Sequence, residues 1–164
     1  LLLTIVQHQL GEPLDRWVKK HFFDKLSIQD YVWYRQPTGV PEGSARLHLR
    51  PRDMLKIGVM VLSEGLWQGE QLVPAAWLEA MTKKQATSGS GDYGYYTWLR
   101  SLDGIAYISA EGDGGQYINI FPEQNMVVVM TQGNYLEWPL YRDQAEAIMR
   151  RYIFPAVGIQ ATKR

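Results

Sequence analysis

Residues 105–131 read IAYISAEGDGGQYINIFPEQNMVVVMT. Three runs rich in β-branched and aromatic residues, Ile105 to Ala110, Gln116 to Phe121 and Met126 to Thr131, are separated by a glycine cluster and by Pro122 to Asn125. Residues of those types suit a pleated, half-buried surface, and the separators are turn formers. Upstream, Tyr93 to Leu99 is a fourth such run, joined to the first through Asp103-Gly104. Four antiparallel strands in a meander are expected. Downstream, Tyr141, Ala145, Ile148, Met149 and Tyr152 form a helical stripe, with Arg142, Asp143, Glu146, Arg150 and Arg151 mostly on other faces. That pattern predicts a helix lying across the sheet.

The first half has a different texture. Leu2, Leu3, Ile5, Val6 and Leu10 fall at helical spacing before Gly11, and Pro13 opens a second helix with Leu14, Trp17, Val18, Phe22 and Phe23 on one face. From Leu26 to Leu49 the periodicity fails, and Pro37, Gly39, Pro41 and Gly43 predict a long irregular loop. Pro51 starts a third helix that runs through Leu55, Val59 and Leu62 to Gly65. Gln68-Gly69 marks a tight hairpin turn, Pro74 opens a helix through Trp77, Leu78 and Met81, and residues 86–92 form a Ser/Gly-rich loop. The fold class is therefore α+β, an antiparallel sheet of about four strands packed by a C-terminal helix and preceded by several helices. Residues 1–92 are assigned to the helical region and 93–164 to the sheet and closing helix. Trp17, Trp77, Trp98 and Trp138 are expected to serve packing.

Composition bounds the function. The 164 residues are 46% hydrophobic, with 17 Lys plus Arg against 17 Asp plus Glu, which fits an ordinary globular domain. A net charge of zero leaves no electrostatic footprint for nucleic acid, so no nucleic-acid partner is expected. The apolar start, Leu1 to Leu3 with Ile5 and Val6, falls far short of the roughly 20 residues a membrane span needs. It also begins inside a helical pattern without a capping residue, so the start reads as a cut. His8, His21 and His48 stand far apart, and with no Cys there is no thiolate site, so neither metal nor other cofactor is expected.

The glycine cluster Glu111-Gly112-Asp113-Gly114-Gly115-Gln116 joins two predicted strands and matches no phosphate-binding fingerprint. Its glycines would allow a ligand or another segment to approach the backbone, as they do where a strand lines a site, and a plain hairpin turn is the alternative. Taken in order with Arg50-Pro51-Arg52-Asp53-Met54-Leu55-Lys56-Ile57-Gly58, Gly65-Leu66-Trp67-Gln68-Gly69, Val73-Pro74-Ala75-Ala76-Trp77, Tyr93-Gly94-Tyr95 and Phe121-Pro122-Glu123, it resembles the C-terminal portion of the serine β-lactamase-like family. That family includes class C β-lactamases, D-alanyl-D-alanine carboxypeptidases and related esterases. The resemblance runs from about Leu1 to Tyr152 and implies an incomplete β-lactamase/transpeptidase-like fold.

It also implies a chemistry. Family members use a nucleophile in Ser-x-x-Lys, a base-bearing Tyr-x-Asn or Tyr-x-Ser loop, and a strand carrying Lys-Thr-Gly, His-x-Gly or a relative. Serine attacks a carbonyl only if a neighbour takes its proton, and the resulting oxyanion needs backbone N–H donors. None of Ser27, Ser44, Ser63, Ser88, Ser90, Ser101 or Ser109 has Lys three residues later. Tyr117-Ile118-Asn119 fits the second motif only as text, since it falls inside a predicted strand. The third motif is the one matched: Asp113-Gly114-Gly115 corresponds to the Lys- or His-led triplet, with Gln116 at the position whose backbone N–H helps form the oxyanion hole. A carboxylate at Asp113 disfavours an anionic substrate and leaves an ester or neutral acyl group more open, unless Asp113 only favours the turn. Tyr31, Trp33 and Tyr34 crowd the irregular loop where the family borders its substrate cleft, which makes them candidate substrate contacts.

The expectation is thus a C-terminal fragment of a serine hydrolase acting on an ester, amide or β-lactam, inactive alone, with a small acyl substrate only in the complete enzyme. The rival is a non-catalytic binding or interaction module on the same scaffold. In the family an N-terminal strand covers the edge beside Met126 to Thr131, so this edge is expected to seek the missing half or a second copy. Family resemblance leans towards a periplasmic or secreted protein.

Overall fold

A computed structural model describes residues 2–159. Helix α1 (Leu2–Leu10) ends at Gly11, whose φ of 69° reverses the chain, and α2 (Leu14–Val18) continues into a π-helical turn over Lys19–Phe23. Strands β1 (Tyr31–Trp33) and β2 (Leu47–Leu49) pair antiparallel, with Tyr31 opposite Leu49 and Trp33 opposite Leu47. Then come α3 (Pro51–Leu62), the small hairpin β3 (Leu66–Trp67) and β4 (Glu70–Gln71), and α4 (Ala75–Met81).

The main sheet has six antiparallel strands: β5 (Ala86–Ser88), β6 (Gly91–Tyr93), β7 (Trp98–Leu102), β8 (Ile105–Gly112), β9 (Gln116–Phe121) and β10 (Met126–Met130). They lie in the spatial order β10-β9-β8-β7-β6-β5, so β10 is one edge. The chain closes with α5 (Leu140–Ile148), a π-helical turn over Met149–Ile153 and α6 (Phe154–Ala156).

Alternation along β8 and β9 sorts the two faces of the sheet. Tyr107, Phe121 and Val128 pack with Leu102, Met149 and Phe154 into a core beneath the closing helices. On the opposite face α3 crosses β9 and β10. Its approach depends on Gly58, where a Cβ would stand 2.6 Å from Cγ1 of Val127 and 2.8 Å from Cγ2 of Ile118. A second core of Phe23, Leu26, Ile28, Met60 and Leu78 joins the π-helical turn to α3 and α4.

The helices, the meander of β7 to β10 and the Gln68-Gly69 turn follow the expected course, with three corrections. The sheet has six strands and not four, because the Ser/Gly-rich stretch at 86–92 forms most of the β5–β6 hairpin, and the sheet therefore extends across residue 92. The run Tyr93 to Leu99 is not one strand. It bends after Tyr93 because Tyr95 N–H and Thr97 Oγ1 both donate to Met81 O at the end of α4 (3.0 and 2.9 Å). The stretch from Leu26 to Leu49 also contains the β1–β2 pair, whose partners are too far apart in sequence for local pattern to reveal.

Two surfaces are left uncovered. Helix α1 buries none of its residues, and Leu2 and Ile5 are about half exposed. Beside the β10 edge lies an open groove of about 430 Å³ lined by Pro51, Leu55, Val127, Val129 and Ile153. No described helix is long and apolar enough to cross a membrane.

Candidate functional site

The turn between β8 and β9 is built around two glycines in left-handed geometry, Gly114 (φ 76°) and Gly115 (φ 90°). Both are required by space as well as by conformation. A Cβ at Gly114 would lie 2.6 Å from Cδ1 of Tyr135, and one at Gly115 would lie 2.8 Å from Cδ of Gln132. The close approach expected of this cluster is therefore made by the chain's own segment after β10.

Polar bonds lock that segment to the turn. Gln116 Nε2 donates to Gln132 O (2.6 Å), Gln132 Nε2 to Tyr141 O (3.0 Å), and Asn134 N–H to Gly114 O (3.3 Å). Asn134 Nδ2 reaches Gln144 Oε1 at 2.7 Å, which ties the same segment to α5. Asp113 Oδ1 accepts from Leu136 N–H at 3.3 Å. Desolvation first, and then the neighbouring Asp113 carboxylate, push the Tyr141 phenol above its ordinary value. Asp113 thus serves as a clasp to residues 136–141 in addition to favouring a turn. Gly112 and Asp113 remain exposed, whereas Gly114 and Gly115 are buried.

The aromatic candidates lie elsewhere in the chain's architecture. Tyr31 and Trp33 pack against Phe23, with ring centroids 4.6 and 6.3 Å away, and Trp33 Nε1 donates to Glu42 O at 2.7 Å. Both anchor the helical core. Tyr34 is half exposed and meets His48 edge-on at 5.5 Å. No hydrogen bond or ring contact among the described residues joins these three to the 113–116 turn. The tryptophans divide too: Trp98 packs against Tyr93, whereas Trp77 and Trp138 are about half exposed and pack at the surface. Trp77 stacks on Tyr95, and Trp138 carries the Arg142 guanidinium over its ring at 4.6 Å.

No family model matches the sequence, and no curated protein matches it. Solved structures do match in fold. A Bacillus anthracis protein assigned as a 6-aminohexanoate-dimer hydrolase superposes with a TM-score of 0.81 at 20% identity, over 96% of this chain and 42% of its own. A β-lactamase from Mycobacterium bovis gives 0.68 at 15% identity, over 92% of this chain and 61% of that one. A Bacteroides dorei protein assigned as a β-lactamase gives 0.65 at 13%, over 88% and 54%. The chain has a β-lactamase-like fold. It spans 42% to 61% of the length of these structures.

Within that fold, the text match at Tyr117-Ile118-Asn119 lies in β9 beneath α5. Asn119 is 1% exposed, accepts from Ser109 Oγ at 2.6 Å and reaches Met149 Sδ at 3.7 Å. This is packing chemistry. No serine hydroxyl among the described residues hydrogen-bonds to a Lys or His side chain. His8, His21 and His48 are all exposed, and among the described residues no group of His, Asp and Glu is arranged to hold a metal ion. The signal sequence reading missed is the Gln116–Gln132–Tyr141 chain, because glutamines in two separate stretches carry no local pattern.

Proposed function

We propose that this chain forms the sheet wall of a β-lactamase-like serine hydrolase, and that a polypeptide segment outside these 164 residues supplies the Ser-x-x-Lys nucleophile and the tyrosine base. The complete enzyme would acylate its serine with an ester, amide or β-lactam and then hydrolyse the acyl-enzyme. In that reaction the serine proton passes to the base as the hydroxyl oxygen bonds to the carbonyl carbon. The oxyanion that forms is met by backbone N–H groups, one from Gln116, and its collapse expels the leaving group. Water repeats the sequence to release the acid.

The observation that carries this reading is the match in fold over 96% of this chain and only 42% of the Bacillus anthracis protein, combined with the absence of a Ser-x-x-Lys tetrad. The rigid 113–116 turn supports it, since an oxyanion donor is effective only when held in place before reaction. The uncovered α1 stripe and the β10 edge support it as well, because they offer apolar area and unpaired backbone groups where a complementary segment would dock. A second copy of this chain is the other occupant these surfaces allow.

The test is kinetic. The purified chain, incubated with p-nitrophenyl acetate and with a chromogenic cephalosporin, is expected to show no turnover above buffer. Saturable turnover abolished by one serine-to-alanine substitution would overturn the reading.

A further inference from the structure

The two edges of the main sheet are built differently. At one edge, β5 is only Ala86–Ser88, exposed throughout, with Lys83 and Lys84 just before it. Lys84 pairs with Asp92 of the neighbouring β6 at 2.9 Å. Short length and nearby lysines are common protection against pairing with another chain. At the other edge, β10 is longer, Met126–Met130, and carries none of these devices: no charged residue and no proline occurs from Gln124 to Leu136. The groove beside it is apolar on either side of the strand, with Val127, Pro51 and Leu55 towards α3 and Met126 and Ile153 towards the closing helices. Its one charged lining residue, Arg52, is exposed.

The order of residues along β10 identifies an occupant. Met-Val-Val-Val-Met reads the same in both directions, with Val128 at its centre. When two such strands pair antiparallel about a two-fold axis, each residue meets the one at the same distance on the other side of the centre. Val128 then faces the partner's Val128, Val127 faces the partner's Val129, and Met126 faces the partner's Met130. Like apolar side chains meet at every step. Alternation keeps Met126, Val128 and Met130 of both copies towards the closing helices, and Val127 and Val129 towards α3. The match continues into the flanks, where Asn125 meets the partner's Thr131 and Gln124 the partner's Gln132, all uncharged. An unrelated strand has no reason to match in this way, whereas self-complementarity is what an isologous contact requires.

We propose that β10 is a homodimer interface, in which two copies pair antiparallel about a two-fold axis at Val128 and join their main sheets into one continuous sheet. Assembly stops at two copies, because only the protected β5 edges are left outermost. This goes beyond the hydrolase reading and does not rest on it. A second copy and any complementary segment would compete for the same backbone groups, so the two assemblies exclude each other.

The chain has no cysteine, so introduced cysteines report the register directly. The full chain is expected to sediment as a monomer–dimer equilibrium with no larger species. Under mild oxidation Val128→Cys should give a disulfide-linked dimer. Met126→Cys and Met130→Cys should each stay uncross-linked alone and cross-link to one another when mixed. Val129→Lys can reach solvent through the open groove, so its far-UV spectrum should match that of the parent chain. It should weaken dimerisation at least about tenfold, since a charge enters an apolar seam with its two-fold mate diagonally across. A monomer at every concentration, larger open-ended assemblies, or absence of both cross-links would overturn the proposal. So would cross-linking of Met126→Cys or Met130→Cys alone that exceeds the mixture, or undiminished association of Val129→Lys. None of these readouts depends on turnover, so their failure leaves the hydrolase reading to its own kinetic test.

Discussion

The Tyr135 ring lies directly over Gly114, so closely that a Cβ at Gly114 would stand 2.6 Å from Tyr135 Cδ1. This contact joins the β8–β9 turn to the segment following β10 and leaves no room for any other residue at position 114. Gly114→Ala is expected to destabilise the chain by about 2–5 kcal/mol, combining the left-handed backbone penalty with overpacking. In a Tyr135→Ala background the same substitution should cost only the backbone part, about 1–2 kcal/mol. Urea unfolding of the four variants measures both values, and equal costs in the two backgrounds would show that the ring contact is not what excludes the side chain.

Arg100 and Glu111 form the least exposed ion pair that bridges two strands of the sheet, with about a fifth of each side chain accessible. Removing Glu111 leaves the guanidinium without its fork-shaped partner in a half-buried site. Glu111→Ala is expected to cost about 1–3 kcal/mol, and Arg100→Ala a similar amount. The double variant should cost less than the sum, because each single loss already breaks the shared bonds. An additive result in a double-mutant cycle would assign the stability to other contacts.

Burial raises the Tyr107 phenol to about 12, with the Glu146 and Glu111 charges adding to the effect. Tyr117 is shifted further in the same direction, again chiefly by burial. In the unfolded chain both phenols ionise near 10. The folded state therefore favours the neutral form. Its contribution is complete below pH 10 and is lost as pH rises from about 10 towards and beyond 12. Stability should fall across that window, and Tyr107→Phe should reduce the slope. Ultraviolet titration should find the two buried phenols still protonated at about pH 11, where exposed tyrosines have ionised.

Strand β10 has β9 on one side and the open groove on the other. Unpaired backbone on such an edge favours strand addition. Sedimentation velocity of the isolated chain is expected to show concentration-dependent association, weakened by a proline at Val129. A compact monomer at every concentration would contradict this.

Much of the architecture was legible because it obeys local periods. Ile105 to Ala110 stands out as a β-branched and aromatic run between Asp103-Gly104 and the glycine cluster, and Pro51 with Leu55, Val59 and Leu62 marks α3 in the sequence itself. What escaped local reading was long-range or unpatterned. Strand β5, Ala86–Ser88, is exposed throughout and has no apolar face, so only its partner β6 defines it. The β1–β2 pair requires Trp33 to find Leu47 across an irregular excursion. At the candidate site the glycine cluster announced a close approach, but not that Gln132 and Tyr135 make it. The packing of Tyr31 and Trp33 on Phe23 likewise joins residues that no local pattern connects.

The central claim, that the attacking group lies outside these 164 residues, is tested most directly by intact-mass spectrometry after exposure to a fluorophosphonate probe. The account predicts an unmodified mass at 18.9 kDa with all seven serines unlabelled. A stoichiometric adduct mapped to a single serine would contradict it.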